Sequence, residues 1–348
     1  MIINTSRATQ FQGCREKAYN WDELRLASFR DPDPLMIGEA YHLGSEVIAR
    51  TGDVEQAMHD AEKRFRQRLE GQLILEEEKP EIEREIEFVR HSVKQWAIHY
   101  DKADFKVLWP EVNGFIKLPN SEHHCYFCHR LLTDQPYNEC PGVPNECWQP
   151  HYFKFRTDGI VEFYHKVWLL EQKTTASSNR NNFWAKFNMD FQVGCYLYGV
   201  WKSTGVLPAG VLVNAIIKHS VQDRTRPTGN GGYKFKLDPT NVGFERDYYT
   251  YNEDQLLSFE RDLIRIATEY EDAFKQPELK VYRNTNNCWS YNRQCYYWDR
   301  CQRKYSGQTI DLEGEFRERP NDYVNEQYLD LLGLPKSEPQ LEGIHGTK

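Results

Sequence analysis

The hydrophobic pattern of the chain passes from helical to strand period near Phe105, and this change limits the fold more than any other feature. Before it, apolar residues recur at helical spacing in three windows, 36–50, 54–78 and 80–100, the last opening on Pro80, which suits a first helical turn. Asp31-Pro-Asp-Pro34 breaks the chain ahead of them, and residues 6–19 read as a short polar and aromatic lead-in. After Phe105, residues 107–118 alternate as a strand does, with Pro110 expected to limit one end. Residues 152–163 and 166–174 form two further strand patterns with a tight turn expected at Tyr164-His165. A helix over 183–202, a buried, largely β-branched strand over 209–218 and a helix over 253–274 complete the pass. Helices followed by strand, strand, strand, helix and strand predict a mixed α/β core. No internal repeat is visible, and the tail after residue 333 is rich in Pro, Gly and Glu.

A chain of 348 residues holds one large domain or one core carrying insertions. Its 39% hydrophobic and 28% charged residues are those of a soluble globular protein. Aromatics reach 14%, enough to serve a core or to stack on nucleic acid bases. The formal net charge of -8 argues against coating nucleic acid by bulk electrostatics, though not against one local groove. Part of the acidic excess lies in residues 76–87, EEEKPEIEREIE, a solvated helix surface. No signal-peptide pattern stands at the start, and no apolar run approaches the roughly 18 residues that span a bilayer. We therefore expect a cytoplasmic protein with no membrane partner and reduced thiols, in which metal ligation accounts for nine cysteines.

Cys125-x-x-Cys128, Cys140 and Cys147 lie in a Pro- and His-rich stretch, residues 119–150, and read as a structural zinc site with four thiolate ligands. His123, His124 and His129 stand nearby as replacement ligands. An insertion of about 30 residues has too little core to fold without such a staple. A loop with free thiols is the alternative. Cys195, inside a helical window, reads as a small buried apolar residue.

Asp158 follows a strand pattern, and Glu171-Gln172-Lys173 ends the next one. The turn between the strands should bring Asp158 and Glu171 to the same end of a sheet, where two carboxylates can hold a hard divalent cation. Side chains alternate along a strand, so Glu171 and Lys173 share a face. There Lys173 could orient or deprotonate an attacking water and neutralise charge on phosphate. Taken alone, an Asp-Gly pair also makes turns, and Glu-x-Lys recurs by chance.

In order along the chain stand Gly38-Glu-Ala-Tyr-His42 on a helix, Asp158-Gly159, Glu171-Gln172-Lys173, and Gln192-Val-Gly-Cys-Tyr196 on the following helix. This set resembles the RecB-type branch of the PD-(D/E)XK nucleases, especially its iron–sulfur members, which include the AddB nuclease domain and exonucleases associated with CRISPR adaptation. The resemblance implies a restriction-endonuclease-like core, a mixed central sheet flanked by helices; the N-terminal helical region and the zinc insertion read from the residues would be carried on it. It implies that His42, Asp158, Glu171 and the Gln172 carbonyl ligate Mg²⁺ or Mn²⁺, that Lys173 activates water, and that Gln192 and Tyr196 position the nucleic acid. It further implies a [4Fe–4S] cluster on Cys14, Cys288, Cys295 and Cys301, tying the chain ends together. The match of Ser6, Phe11, Cys14 and Lys17 agrees with this. The departure is the spacing from Cys288 to Cys295, six intervening residues where the family has two; zinc or no metal at those thiols stays open.

Lys218, Arg224, Arg226, Lys234 and Lys236 surround a glycine-rich tip at residues 227–232, a loop or hairpin that could follow a phosphate backbone. Arg180-Asn-Asn-Phe-Trp184 and Lys186 interleave charge with aromatics in a way that suits single strands. Both segments could equally be solvated surface.

The expected organisation is thus a helical region over 1–104, a nuclease core over 105–118 and 151–275, the insertion over 119–150, a cysteine segment over 276–305 and a tail. The expected activity is metal-dependent hydrolysis of DNA, single-stranded or with a free end, by an exonuclease of recombination, replication or repair. The alternatives are a non-catalytic DNA- or partner-binding protein on the same fold, and a subunit active only beside a helicase, since no Walker-type phosphate loop occurs here. Cleavage polarity, pathway and oligomeric state are not written in the sequence.

Overall fold

A computed structural model of the chain describes residues 2–28, 33–70, 72, 74–100, 105–119, 151–176, 180–227, 233–290, 293–308 and 316–318. The cysteines at 125, 128, 140 and 147, the histidines at 123, 124 and 129, the glycine-rich tip 228–232 and the tail from 319 lie outside the described residues.

In chain order the elements are β1 (Ile2–Ile3), α1 (Thr5–Gly13), α2 (Arg15–Asp22), β2 (Leu26–Ala27), α3 (Asp33–Thr51), α4 (Val54–Leu69) and α5 (Lys79–Tyr100). Then come β3 (Phe105–Lys117), β4 (Tyr152–Phe163), β5 (Lys166–Ala176), α6 (Arg180–Ala185), α7 (Phe191–Thr204), β6 (Gly210–Pro227), β7 (Tyr233–Thr250) and α8 (Glu253–Lys275). Short pieces close the chain: α9 (Pro277–Lys280), β8 (Trp289–Ser290), β9 (Arg293–Gln294), α10 (Trp298–Tyr305) and β10 (Arg317–Glu318).

The central sheet is mixed and runs β3-β4-β5-β6-β7, with β1 beside the start of β4. Strands β4 and β5 are antiparallel and joined at Phe163↔Lys166, so Tyr164 and His165 alone make the turn. Both carry positive φ, 49° and 57°, as the tightest hairpin turns demand. Strands β5 and β6 are parallel, with α6 and α7 in the crossover. The sheet is covered on both faces. One core joins Phe153, Phe155, Leu169 and Val213 to Phe11 of α1, Leu197 of α7 and Leu263 of α8. The other joins Ile216 to Tyr41 of α3, Phe65 of α4 and Val93 of α5.

Local chemistry sets the ends of the elements that matter. Asp190 accepts the Val193 N–H at 3.0 Å and starts α7, and Gly205, left-handed at φ 73°, stops it. Gly194 allows α7 to press on α8, because a Cβ there would stand 2.2 Å from the Phe259 ring. Asn252 and Gln255 form a reciprocal capping box at the head of α8.

Four expectations are corrected. Residues 6–19 are not an irregular lead-in but two helices, held by small and aromatic residues such as Ala8, Phe11 and Ala18 rather than by a broad apolar stripe. The helix from 54 ends at Leu69, not 78; residues 76–78 form a turn in which the Glu78 carboxylate accepts the Leu75 N–H at 3.0 Å. Pro110 does not end its strand. Among the described residues β3 pairs with β4 alone, an edge position that tolerates proline, and the register shifts close by, between Val107 and Trp109. The window 183–202 is not one helix: α6 ends at Ala185 and α7 starts at Phe191, behind the Asp190 cap. Of the loop or hairpin expected over 218–236 the structure has the hairpin, with β6 and β7 as its arms.

Candidate active site

The four sequence motifs converge where β4 parts from β5. Their ladder ends at Gly159↔Leu170. One step beyond, the Asp158 carboxylate replaces the lost strand partner, Oδ2 accepting the Gln172 N–H at 2.6 Å. Phe153, Phe155 and Ile160 all face the same core, so the alternation of β4 is broken in the stretch that carries Asp158 and Gly159. A Cβ on Gly159 would stand 3.0 Å from the Trp109 carbonyl oxygen, so glycine lets β3 close in at this break.

The other oxygen of Asp158 meets His42, whose Nδ1 lies 2.7 Å from Oδ1 across 116 positions of chain. Glu171 and Lys173 share a face of β5 and form an ion pair. Lys173 Nζ also donates to Gln192 Oε1 at 3.4 Å, and Gln192 Nε2 donates to Tyr196 Oη at 3.1 Å. The site therefore holds two polar series, His42–Asp158 and Glu171–Lys173–Gln192–Tyr196, brought side by side by the Gln172 N–H that Asp158 accepts. Glu171 is buried, its side chain 2% exposed, while His42 keeps 31% and Asp158 19%. The group is thus sealed at its base and open at the imidazole.

Burial dominates the electrostatics of each group, and neighbours decide the outcome. Burial alone would lower the pKa of His42, but the charge and hydrogen bond of Asp158 more than offset it and the net shift is upward. Burial would raise Asp158, yet His42, Lys173 and the Gln172 N–H together hold it below the usual carboxylate range. Glu171 ends raised: burial and the nearby Asp158 charge outweigh the pull of Lys173 and His42. For Lys173, burial works against the ammonium, but Glu171 and Asp158 overcome it and raise the pKa, so the side chain stays a cation at neutral pH.

Sequence reasoning missed the groups that hold this arrangement. Tyr41 Oη donates to Gln172 Oε1 at 2.9 Å, Gln172 Nε2 donates to Ser45 Oγ at 2.8 Å, and Ser45 Oγ donates to the His42 carbonyl at 2.8 Å. Thr5 Oγ1 donates to Tyr196 Oη at 3.2 Å. A signal existed for Tyr41 and Ser45, which flank His42 and share a helical face at i, i+4. None existed for Thr5.

The remaining candidates divide. Lys186 belongs to the site's surroundings: burial lowers its pKa, Asp190 opposes this, and Lys173 and Glu171 both act on it. Its ammonium stands over the Phe187 ring at 4.8 Å, 3.9 Å from Asp190. Arg180 opens α6 directly after β5. Arg224, exposed, and Arg226 lie on β6 and Lys234 on β7, all in the hairpin arm. Of the two remaining arm lysines, Lys236 pairs with Asp223 at 3.6 Å.

The cysteines near the two ends of the chain also come together. Cys14 sits between α1 and α2, and its sulfur accepts the Asn284 N–H at 3.3 Å. Cys288 and Cys295 bracket the β8–β9 hairpin, with the Cys295 N–H on the Cys288 carbonyl at 2.8 Å, and Cys301 lies in α10. Burial, then Glu16, then the three other cysteines push the Cys301 thiol up to about 12. Burial raises Cys288 and Cys295 as well, and Cys14 adds to both. Cys195 is buried in α7, as its helical window implies. Around the thiols the ends are fastened independently: Lys304 pairs with buried Glu16, and Arg300 Nε donates to Asn20 Oδ1 at 2.8 Å. Among the described residues no three His, Cys, Asp or Glu side chains are disposed to close on one metal ion as they stand.

No family model and no curated protein matches the chain. Among solved structures, SSO0001 is similar over 76% of this chain and 76% of its own, at 10% sequence identity and a TM-score of 0.30. Among the described residues no helix is long and apolar enough to cross a membrane.

Proposed function

We propose that the chain is a divalent-metal-dependent DNA nuclease of the PD-(D/E)XK type, RecB-like branch, acting as an exonuclease in DNA recombination, replication or repair. One observation carries the proposal: four separated motifs meet at the end of a central strand pair, where the His42–Asp158 pair and the Glu171–Lys173–Gln192 series flank the Gln172 N–H that Asp158 accepts.

The donor set fits a hard divalent cation. Two carboxylates raise one another's cost of ionisation, and an imidazole stands beside them at the open side. Here each carboxylate is taken up by a nitrogen cation, Asp158 by His42 and Glu171 by Lys173, the pairing with which a divalent ion competes. Asp158, Glu171, His42 and the Gln172 carbonyl would hold Mg²⁺ or Mn²⁺, which when bound lowers the pKa of water and polarises phosphate oxygens. Lys173, held as an ammonium, orients the attacking water and neutralises charge on the phosphoryl oxygens. Gln192 fixes Lys173 from α7, and Tyr196 fixes Gln192. Gln172, clamped by Tyr41 and Ser45, keeps its backbone beside Asp158.

The four thiols Cys14, Cys288, Cys295 and Cys301 are soft ligands within electrostatic reach of one another, a donor set that suits a [4Fe–4S] cluster. A zinc site on Cys125, Cys128, Cys140 and Cys147 remains part of the proposal on sequence grounds. DNA with a single strand or a free end is the substrate proposed, and a helicase or recombination protein the partner.

The test is incubation of labelled single- and double-stranded DNA with the protein and Mg²⁺ or Mn²⁺, beside Lys173→Ala. Wild type should degrade DNA and the variant should not; equal activity in both removes the mechanism. Protein purified without oxygen should be brown and contain iron, and colourless protein with zinc alone would refute the cluster while leaving the nuclease.

A further inference from the structure

A groove of about 440 Å³ runs along α1 from Gln192, the residue that touches Lys173, to Cys14 and Asn287 at the cysteine locus. Its wall carries the hydroxyls of Ser6 and Thr9, the amides of Gln10, Gln192 and Asn287, and the ammonium of Lys17. Among the described residues no carboxylate lines it, in a chain whose formal charge is -8. Its size falls in the usual range of ligand clefts, about 300–1,000 Å³.

Around Lys17, at one end of the groove, stand aromatic rings accompanied by cations. Lys17 Nζ lines the groove and also stands 5.5 Å over the Tyr296 ring. Next to it, the Arg15 guanidinium lies 5.1 Å over Tyr282 and that of Arg283 lies 4.3 Å over Tyr305. Tyr282 is 55% exposed and Trp289 59%, large rings that the core leaves in solvent. Rings of this kind offer faces on which bases stack, and nearby cations follow the phosphates.

Resting on the nuclease reading above, we propose that this groove is the path of a single DNA strand, which stacks on the aromatic patch, passes Lys17 and α1, and delivers its phosphate to Lys173. A single strand is the occupant because its base edges and faces are free to meet amides, hydroxyls and rings, whereas pairing hides them in a duplex. The continuity of the groove with Gln192 is what joins binding to cleavage. Lys17 and Thr9 are positioning residues: they touch the strand away from the reacting phosphate.

The experiment uses the full chain and two substrates. A fluorescent single-stranded oligonucleotide reports binding by anisotropy in a Lys173→Ala background, and bis(p-nitrophenyl) phosphate with Mn²⁺ reports hydrolysis without need of the groove. Lys17→Glu and Thr9→Glu should each weaken oligonucleotide binding by about tenfold. Both should leave hydrolysis of the small diester within about twofold of the unmutated value. The mild variant Lys17→Ala should make the dependence of log affinity on log salt shallower by about 0.7, the value of one phosphate contact to a single strand. Oligonucleotide binding unchanged in all three variants overturns the groove, as does weakening confined to a duplex of the same sequence. If a glutamate variant loses both readouts through misfolding, the salt slope of Lys17→Ala decides alone. Wild type that binds the oligonucleotide through Lys17 but never cleaves the small diester refutes the nuclease reading and leaves the groove standing.

Discussion

The two places where distant parts of the chain meet are built in opposite ways. At the carboxylate site every charged group already has a protein partner: His42 on Asp158, Lys173 on Glu171, Gln192 on Lys173. These groups stand on long strands and helices packed on both faces of the sheet. At the cysteine locus the thiols stand on a helix junction, two-residue strands and an eight-residue helix. Their sulfur contacts include weak ones to Asn284, at 3.3 Å from Cys14 and 3.8 Å from Cys288, and one between Cys295 and the Tyr297 backbone. On the proposed reading, the first site is held by the fold before any ion binds, whereas the second would gain order from what its thiols bind.

This contrast can be broken at several points, taken from the largest effect downward. Lys173→Ala should lower DNA hydrolysis by about 10²–10⁴-fold, the range of a positioned catalytic group, while protection of sheet amides stays as in wild type. Loss of the sheet's protection as well would show that the ion pair with Glu171 holds the fold together rather than serving chemistry. Cys14→Ser combined with Cys301→Ser should speed proteolysis within residues 276–308 by at least about tenfold and leave the sheet resistant. An unaltered digestion pattern would mean that the Lys304–Glu16 and Arg300–Asn20 contacts fasten the ends without the thiols.

Tyr41→Phe removes the donor to Gln172 and should cost about tenfold in activity, as loss of an outer support to a metal ligand does, and about 1 kcal/mol of stability. Unfolding midpoints and turnover measured on the same preparation separate the two. Gly38→Ala sits at the small end. Nothing lies within 4 Å of the added Cβ, so thermal unfolding should show α3 stabilised by about 0.5–1 kcal/mol. Should it also slow cleavage of DNA while sparing a small diester, the open space above Gly38 is room for substrate.

What could be read from the sequence followed from how local each signal was. Helices α6 and α7 share one helical window, whose break at the Asp190 cap periodicity does not show. Helices α5 and α8 declare themselves by periodicity, and the two-residue turn at Tyr164-His165 is fixed by the spacing of its strands. Helices α1 and α2 did not, because Ala8, Ala18 and Phe11 bury them with too few apolar residues to mark a stripe. Pro110 misled because its meaning depends on whether the strand is an edge, which is a tertiary fact. The second arm of the hairpin was missed because residues 239–250 are largely polar and half-exposed, and their pairing with β6 is set by the partner. At the site, the spacing of Glu171 and Lys173 is local and legible, whereas the union of His42 with Asp158 across 116 positions was accessible only through the resemblance of motifs. The supports from Tyr41, Ser45 and Thr5 cross comparable distances; for Tyr41 and Ser45 only their helical face beside His42 hints at the role, and for Thr5 nothing does.

The claim on which the rest depends is that Asp158, Glu171 and His42 take one hard ion in common. A Mn²⁺ titration followed by electron paramagnetic resonance tests it directly, on wild type, Asp158→Asn and Glu171→Gln, each checked for fold by circular dichroism. One ion per chain in wild type, with affinity reduced by at least about tenfold in both folded variants, is the predicted result. Folded variants that bind Mn²⁺ as tightly as wild type would contradict it.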